Sequence, residues 1–528
     1  MDSLLIVRLF YRESIVLPAL ALAAVAMSFP TGNVAQQRRP SPTAQAASNT
    51  TTAFGADLRR ATDLLQLGKL DEAEPILRHV LATSPRNADA HNLLGIVMDQ
   101  RGKTTEAERE YQSAIRLNPN GVSAMANLGV LLARTNRTDQ AIKTFESILR
   151  AVPDHPQATL NLGLQYAARG NYDRAAPLLE RAIKLGLDNY ESRYHLGVVL
   201  YNLKRHEEAE SVLRSSLTLS PSASEPLYYL GLIAWDRGQD EQAADFWDRA
   251  VTLRPSFPEA NFMLGEALRK NRRTQAAVDF YKRALDQDPS KFVYYARLGG
   301  GYILLGQTEQ ALEVFGRGVQ RFPGLPEAHY FAGVAARARA DYDLAETELR
   351  RSLGLERDNV NALAQLGFVL LERDRMTEAE STLRRALAIN DKHFYANYDL
   401  GRLLVKSHRY DQAVPILLHA VMLKPNNASV HYQLFLALSR LKRKAEADGE
   451  LATFKKLDEA IKARPRGEAD IEDDDLQNPA AVPAALPPPN DSRSEPATAG
   501  GSDKNRKNMR MDDESPIRSN ENQKFRRP

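Results

Sequence analysis

A Leu-Gly pair returns every 34 residues along the middle of the chain, and this spacing constrains the fold more than any other feature. In the stretch "ATLNLGLQYAARGNYDRAAPLLERAI" the pair is Leu162 and Gly163, and Ala175 follows twelve residues after the glycine. A fixed period of roughly 20 to 50 residues indicates an array of stacked supersecondary units. The alanine recurs in twelve consecutive periods, at Ala73, Ala107, Ala141, Ala175, Ala209, Ala243, Ala277, Ala311, Ala345, Ala379, Ala413 and Ala447.

Each period contains two blocks of helical apolar spacing with a short turn between them. Glycine inside a helix costs about 1 kcal/mol relative to alanine, so Gly163 requires a reason. We predict that the two helices of a unit cross closely where Gly163 and Ala175 meet, with a large residue four positions after the alanine filling the space around the crossing. The turns carry residues that tolerate a left-handed backbone. They are Gly68, Gly102, Asn136, Gly170, Gly238 and Gly306.

These features resemble the tetratricopeptide repeat, whose 34-residue unit has the same Leu-Gly core, alanine, large residue and closing proline. The resemblance covers residues 54–461, or twelve units. It implies an all-α fold, a right-handed superhelical α-solenoid of stacked helix-turn-helix units. The two end units depart from the pattern, with Ala61 and Phe435 at the glycine position. Such departures are typical of the capping units that an array needs for solubility.

The N-terminal segment has the layout of a secretory signal. Arg8 and Arg12 precede an apolar run, Ile15–Phe29, which ends in small residues. The run is shorter than the roughly 20 residues of a membrane span, although the apolar stretch Leu4–Phe10 lengthens it. We therefore predict a signal peptide over residues 1–26 and an exported, periplasmic or secreted protein, with an uncleaved membrane anchor as the alternative.

Two further segments lack apolar periodicity. Residues 27–53 are rich in Pro, Ser, Thr, Gln and Ala, and we expect a disordered linker. Residues 462–528 contain the acidic run "IEDDDL" and the stretch "PAAVPAALPPPNDS". Such a composition buries too little apolar surface to offset chain entropy, so we expect a disordered low-complexity tail.

The sequence contains no catalytic or cofactor-binding constellation. The absence of cysteine excludes disulfides, thiolate metal sites and cysteine nucleophiles, and no zinc-protease, phosphate-loop or serine-hydrolase motif occurs. A net charge of +3 over 528 residues does not favour nucleic-acid binding. His91, His329 and His431 share the fourth position of their units, which the resemblance places at the edge of the core. We expect no enzymatic activity, no cofactor, no metal and no nucleic-acid partner.

The first helix of each unit offers a candidate partner-binding face. In this family, as the resemblance implies, positions 5, 9 and 12 of the first helix line the concave side of the solenoid. These positions share one helix face. Aromatic residues at position 5 are equally consistent with packing. The candidates are Tyr194, Val198, Tyr201, Tyr228, Leu232, Trp235, Phe262, Tyr330, Phe368, Tyr398 and Tyr432.

The most specific function that these features indicate is a non-catalytic scaffold that binds a segment of a partner protein along the concave face. Aromatic side chains commonly dominate the affinity of such contacts. The alternative is a component of an envelope secretion, pilus or polysaccharide machine, tethered to the membrane by an uncleaved N-terminus. Fewer than 70 residues follow the predicted array, too few and too polar for an added catalytic domain.

Overall fold

The computed structural model of the protein describes residues 42–462, with side chains described at 54–460 and 462. Within this range there are 24 α-helices and no strand, arranged as twelve antiparallel pairs. The first helices of the pairs are α1 (Pro42–Gln66), α3 (Ala88–Gln100), α5 (Val122–Arg134), α7 (Pro156–Ala168), α9 (Tyr190–Asn202), α11 (Glu225–Asp236), α13 (Pro258–Lys270), α15 (Phe292–Leu304), α17 (Pro326–Ala338), α19 (Val360–Glu372), α21 (Phe394–Lys406) and α23 (Ala428–Arg440).

The second helices alternate with them along the chain. They are α2 (Leu70–Thr83), α4 (Thr104–Leu117), α6 (Thr138–Ala151), α8 (Tyr172–Lys184), α10 (His206–Leu219), α12 (Asp240–Leu253), α14 (Thr274–Gln287), α16 (Thr308–Arg321), α18 (Tyr342–Leu355), α20 (Met376–Ile389), α22 (Tyr410–Leu423) and α24 (Lys444–Lys462). Each helix packs on the helices before and after it, and first helices also contact the first helices of adjacent units. The predicted all-α solenoid is therefore confirmed.

The turn inside every unit has a left-handed backbone at its fifteenth position. The six turn residues identified from the sequence all have positive φ, for example Gly170 at 73° and Asn136 at 58°. Six other units place there a residue other than glycine or asparagine, such as Ala340 at 62°. The array therefore imposes this conformation even where the side chain opposes it.

The glycine of each Leu-Gly pair lies against the large residue of the second helix. A Cβ atom built on Gly95 would lie 2.6 Å from the Tyr111 ring, and one built on Gly163 would lie 3.1 Å from Leu179. Ala175 is fully buried, and in the seventh unit the carbonyl of the equivalent Ala277 lies 3.3 Å from a Cβ built on Gly265. The structure thus refines the prediction, because the space that the glycine leaves is filled by the large side chain itself.

The helix α1 begins at Pro42, whereas the sequence predicted a linker as far as residue 53. The last twelve residues of the predicted linker are therefore helical in the structure. Proline at the start of a helix and the alanine and glutamine that follow it favour this conformation. The predicted signal segment and nearly all of the tail lie outside the described residues. None of the helices described from residue 42 to 462 is long and apolar enough to cross a membrane.

Candidate interaction surface

The eleven candidate side chains differ widely in exposure. Trp235, Phe368 and Tyr398 are half-buried, and Tyr432 is 39% exposed. The other seven are buried, so they do not add to a solvent-exposed apolar stripe. They are Tyr194, Val198, Tyr201, Tyr228, Leu232, Phe262 and Tyr330.

The buried aromatic candidates of the fifth and sixth units pack around Tyr229, which is not itself a candidate. The Tyr229 ring has its centroid 6.1 Å from that of Tyr194, 5.7 Å from that of Tyr201 and 5.4 Å from that of Tyr228. The Tyr201 hydroxyl donates a hydrogen bond to Asp236, 3.2 Å away, and burial raises the pKa of this tyrosine well above its usual range. These rings join the first helices of adjacent units, which is the packing role that the sequence left open.

One accessible aromatic side chain lies at the end of α11. Trp235 is half-buried against Trp247, with 5.7 Å between the ring centroids. The ammonium of Lys270 lies 4.7 Å from the centre of the Trp235 ring and 2.6 Å from the carboxylate of Asp240. The ring is therefore held between core packing on one side and a cation from the next unit.

A second accessible group, the arginine–aromatic cluster, consists of Phe368, Tyr398, Arg337, Arg402 and Asp399. Guanidinium groups lie over the Phe368 ring from both adjacent units, Arg337 at 5.2 Å and Arg402 at 5.6 Å from its centre. Arg402 also donates to buried Asp399 at 3.0 Å. Burial raises the pKa of Asp399 to about 6, while Arg402 opposes the shift. This cluster combines a partly exposed ring with fixed cations.

The three histidines at the fourth position share one arrangement. One ring nitrogen of His329 lies 2.6 Å from the carboxylate of Glu348, and the other lies 3.1 Å from the carbonyl oxygen of Pro323. His91 makes the same pair of contacts with Glu110 and Pro85, and His431 with Glu450 and Pro425. Each histidine thus connects its own second helix to the loop of the preceding unit.

This arrangement was not predicted from the sequence, although the sequence contains its signal. Among the twelve units, histidine at position 4 and glutamate at position 23 occur together in the second, ninth and twelfth units and nowhere else. Other units use Asn261 or Asn397 at the fourth position to donate to the equivalent carbonyl, at 3.1 and 2.7 Å. The paired substitution therefore marks a structural contact between units. No group of three or more potential metal ligands occurs in the described part of the chain.

The comparison with protein families agrees with the repeat architecture. A model described as tetratricopeptide repeat matches residues 58–121, 99–156 and 160–224. A model described as the cilia and flagella-associated protein 70 C-terminal domain matches residues 249–472. No curated protein sequence matches the chain.

Several solved structures resemble the chain at low sequence identity. The Cut9–Hcn1 hetero-tetramer of APC/C is 15% identical over 80% of this chain and 95% of its own, with a TM-score of 0.42. PilF of Pseudomonas aeruginosa is 20% identical over 41% and 99% of the two chains, with a TM-score of 0.38. Yeast Tom70 is 14% identical over 79% and 100%, with a TM-score of 0.32.

The family assignment rests on three observations that agree with one another. The 34-residue period is uninterrupted over twelve units, every period folds into an antiparallel helix pair, and repeat-family models match both halves of the array. The chain belongs to the tetratricopeptide repeat family.

Proposed function

We propose that the protein is a non-catalytic scaffold that binds a segment of a partner protein along its first helices. The observation that carries this proposal is the arginine–aromatic cluster. Its Phe368 ring is half-buried between two guanidinium groups rather than enclosed in the core. Tryptophan, tyrosine and arginine are the residues most enriched where protein interfaces concentrate their binding energy.

The chemistry of the cluster favours a partner segment with apolar side chains, because the Arg402 guanidinium already donates to Asp399 at 3.0 Å and to Glu372 at 2.7 Å. An apolar side chain of the partner would complete the burial of Phe368, and burying an apolar side chain contributes about 1.5–3 kcal/mol. Trp235, with Lys270 over its ring, offers a second anchor of the same kind four units earlier.

The test replaces the two accessible anchors in the full-length protein, as Phe368→Ala and Trp235→Ala. We expect each change to reduce the recovery of partner protein from the native host, with the helical content unchanged by circular dichroism. Tyr201 is unsuitable for this purpose because it is 1% exposed, so truncating it would disturb packing.

A matched control is available on the second helices. Phe280 on α14 is also half-buried, with the Arg283 guanidinium 4.8 Å from its ring centre. The Phe280→Ala variant removes the same chemistry from the other layer of the solenoid and is expected to retain partner recovery. Equal recovery by all three variants would contradict the proposal, as would equal loss.

We also propose that the N-terminal segment directs export. The support is its sequence alone, a basic start followed by an apolar run with small residues at its end. Sequencing the N-terminus of protein purified from the native host is the measurement. A start near Met27 agrees with a cleaved signal, and Met1 retained in the membrane fraction agrees with the tethered assembly component. Met1 on protein outside any membrane fraction would contradict both.

A further inference from the structure

One second helix differs from the others on its outer face. Positions 22, 25 and 29 of a unit lie on the solvent side of the second helix and carry mostly polar residues, as with the exposed Asp245, Asp248 and Thr252 of α12. On α22 the same positions are occupied by Pro415, Leu418 and Met422. Leu418 is 42% exposed and Met422 is 73% exposed. We call these three residues the apolar ridge.

The neighbouring second helices place both small and charged residues beside the ridge. At the equivalent outer positions, α24 carries exposed Gly449, Ala452 and Lys456, and α20 carries exposed Ser381, Arg384 and Ala388. Lys455 and Lys456 are exposed on α24, as are the acidic Asp448 and Glu459 on the same helix. Leu418 and Met422, one helical turn apart, therefore form a small exposed apolar patch with charged neighbours.

The size of the patch limits what can cover it. A stable interface between separate molecules needs about 800 Å² on each partner, from roughly 20 to 30 residues. The ridge and its glycine and alanine neighbours provide six residues, far fewer than this. A segment tethered to the same chain needs much less contact, because a short flexible connection gives an effective concentration in the millimolar range.

The chain carries such a segment directly after α24. Residues 468–476, "EADIEDDDL", contain six carboxylates, and Pro479–Pro489 read "PAAVPAALPPP". After α24 the acidic stretch comes first and the proline-rich stretch second. The surfaces lie in the same order, because the lysines are on α24 itself and the apolar ridge is one unit further back. Sixteen residues separate Lys462 from Pro479, and they can span up to roughly 50 Å.

We propose that Pro479–Pro489 docks on the apolar ridge of α22 while the carboxylates of residues 468–476 face Lys455 and Lys456. Proline-rich segments lose little chain entropy on docking because their extended conformation is largely preformed. The surface is separate from the first-helix face on which the partner is proposed to bind. Docking of the tail therefore does not depend on the proposed function.

The natural absence of cysteine allows a direct test in the full-length protein. The variant with Met422→Cys and Val482→Cys is expected to form an intramolecular disulfide under mild oxidation. The control has Gly354→Cys with Val482→Cys, since Gly354 is exposed at position 29 of α18, two units away. We expect the ridge pair to close at least tenfold faster than the control pair.

The possible outcomes distinguish the tail from a second copy of the chain as the segment that covers the apolar ridge. Equal rates for the two pairs would overturn docking of the tail. Disulfides between chains, detected by mixing chains of two sizes, would overturn it in favour of a second copy. Adding Leu418→Glu to the ridge pair is expected to slow closure to the control rate, and unchanged closure would also overturn the proposal. Circular dichroism of each variant establishes that the array is folded.

Discussion

The two layers of the solenoid differ in how they meet solvent. In the middle of the array a first helix is buried on all sides, and in α13 every residue from Glu259 to Leu268 is buried. The second helix of the same unit, α14, buries a single stripe that includes Ala277, Tyr281 and Ala284. The first helices therefore carry the core, while the second helices separate core from water.

This difference limits where a partner can bind. A side chain that is buried between adjacent units cannot also contact another protein without a rearrangement of the array. On the first helices, the half-buried rings, such as Trp235 and Phe368, and the exposed ring of Tyr432 are both apolar and accessible. Substitutions in each layer test how strictly the first and second helices divide these roles.

The largest loss of stability is expected at a side chain of a second helix that packs into the layer of first helices. Trp247 on α12 is fully buried against Gly231, and its indole N–H donates to the carbonyl of Tyr228 at 3.1 Å. Trp247→Ala is expected to cost about 3–5 kcal/mol through the cavity it leaves. Hydrogen exchange should show the loss in α11, α12 and α13, because each unit contacts only its neighbours.

Trp235→Ala is the matched variant on the first layer. Its ring is half-buried, so we expect less than half of the Trp247 effect, since less apolar surface is lost. Equal destabilisation by the two substitutions would show that Trp235 belongs to the core, and that it is a poor candidate for partner binding.

A smaller effect is expected at the pairs that connect the two layers. The His329 and Glu348 side chains are 7% and 8% exposed, whereas those of His91 and Glu110 are 17% and 26% exposed. Removing the carboxylate leaves the histidine without that hydrogen bond, which costs about 1–3 kcal/mol where the site is buried and less where water reaches it. Glu348→Ala should therefore destabilise its unit more than Glu110→Ala destabilises the second unit, as measured by exchange in α17 and α3. The reverse order would contradict this dependence on burial.

The same contrast explains what the sequence could predict. The second helices have a clear apolar stripe, so the pairs, turns and crossing at Gly163 followed from spacing alone. The first helices are apolar on most faces, and periodicity does not separate residues that face a neighbouring unit from those that face water. Tyr228 and Phe368 therefore read alike in the sequence, although one is fully buried and the other half-buried. The exposure of each depends on the residues of adjacent units, which a single unit does not contain.

The pH dependence of stability provides a further test at the start of α21. His393 caps this helix by accepting a hydrogen bond from the Ala396 N–H at 3.1 Å, so its ring must be neutral. Burial, with Lys424 nearby, lowers the pKa of His393 from 6.5 to about 4. Between these values the unfolded chain binds a proton that the folded chain does not. The free energy of unfolding should then fall by about 2–3 kcal/mol as pH drops from 6.5 to 4.

His393→Asn removes the titrating group and keeps the cap, because Asn359 caps α19 with the same hydrogen bond at 2.9 Å. The variant should match the native protein above pH 7 and lose less stability below pH 6. Parallel pH profiles for exchange in α21 and α22 would show that His393 does not carry the effect.

The smallest change in stability is expected at the turns that join the first and second helices of a unit. Ala340 has φ of 62° and is exposed, so its Cβ opposes the left-handed backbone without gaining any packing. Ala340→Gly is expected to stabilise the ninth unit by about 0.5–1 kcal/mol, because relief of roughly 1–2 kcal/mol of strain exceeds the greater entropy of the unfolded glycine.

Gly306, with φ of 72° and open space around it, allows the converse substitution. Gly306→Ala should destabilise the eighth unit by a similar amount. Slower exchange in α17 and α18 for the first variant and faster exchange in α15 and α16 for the second would be the agreeing result. A loss of stability in both would mean that unfolded-chain entropy outweighs backbone strain at these turns.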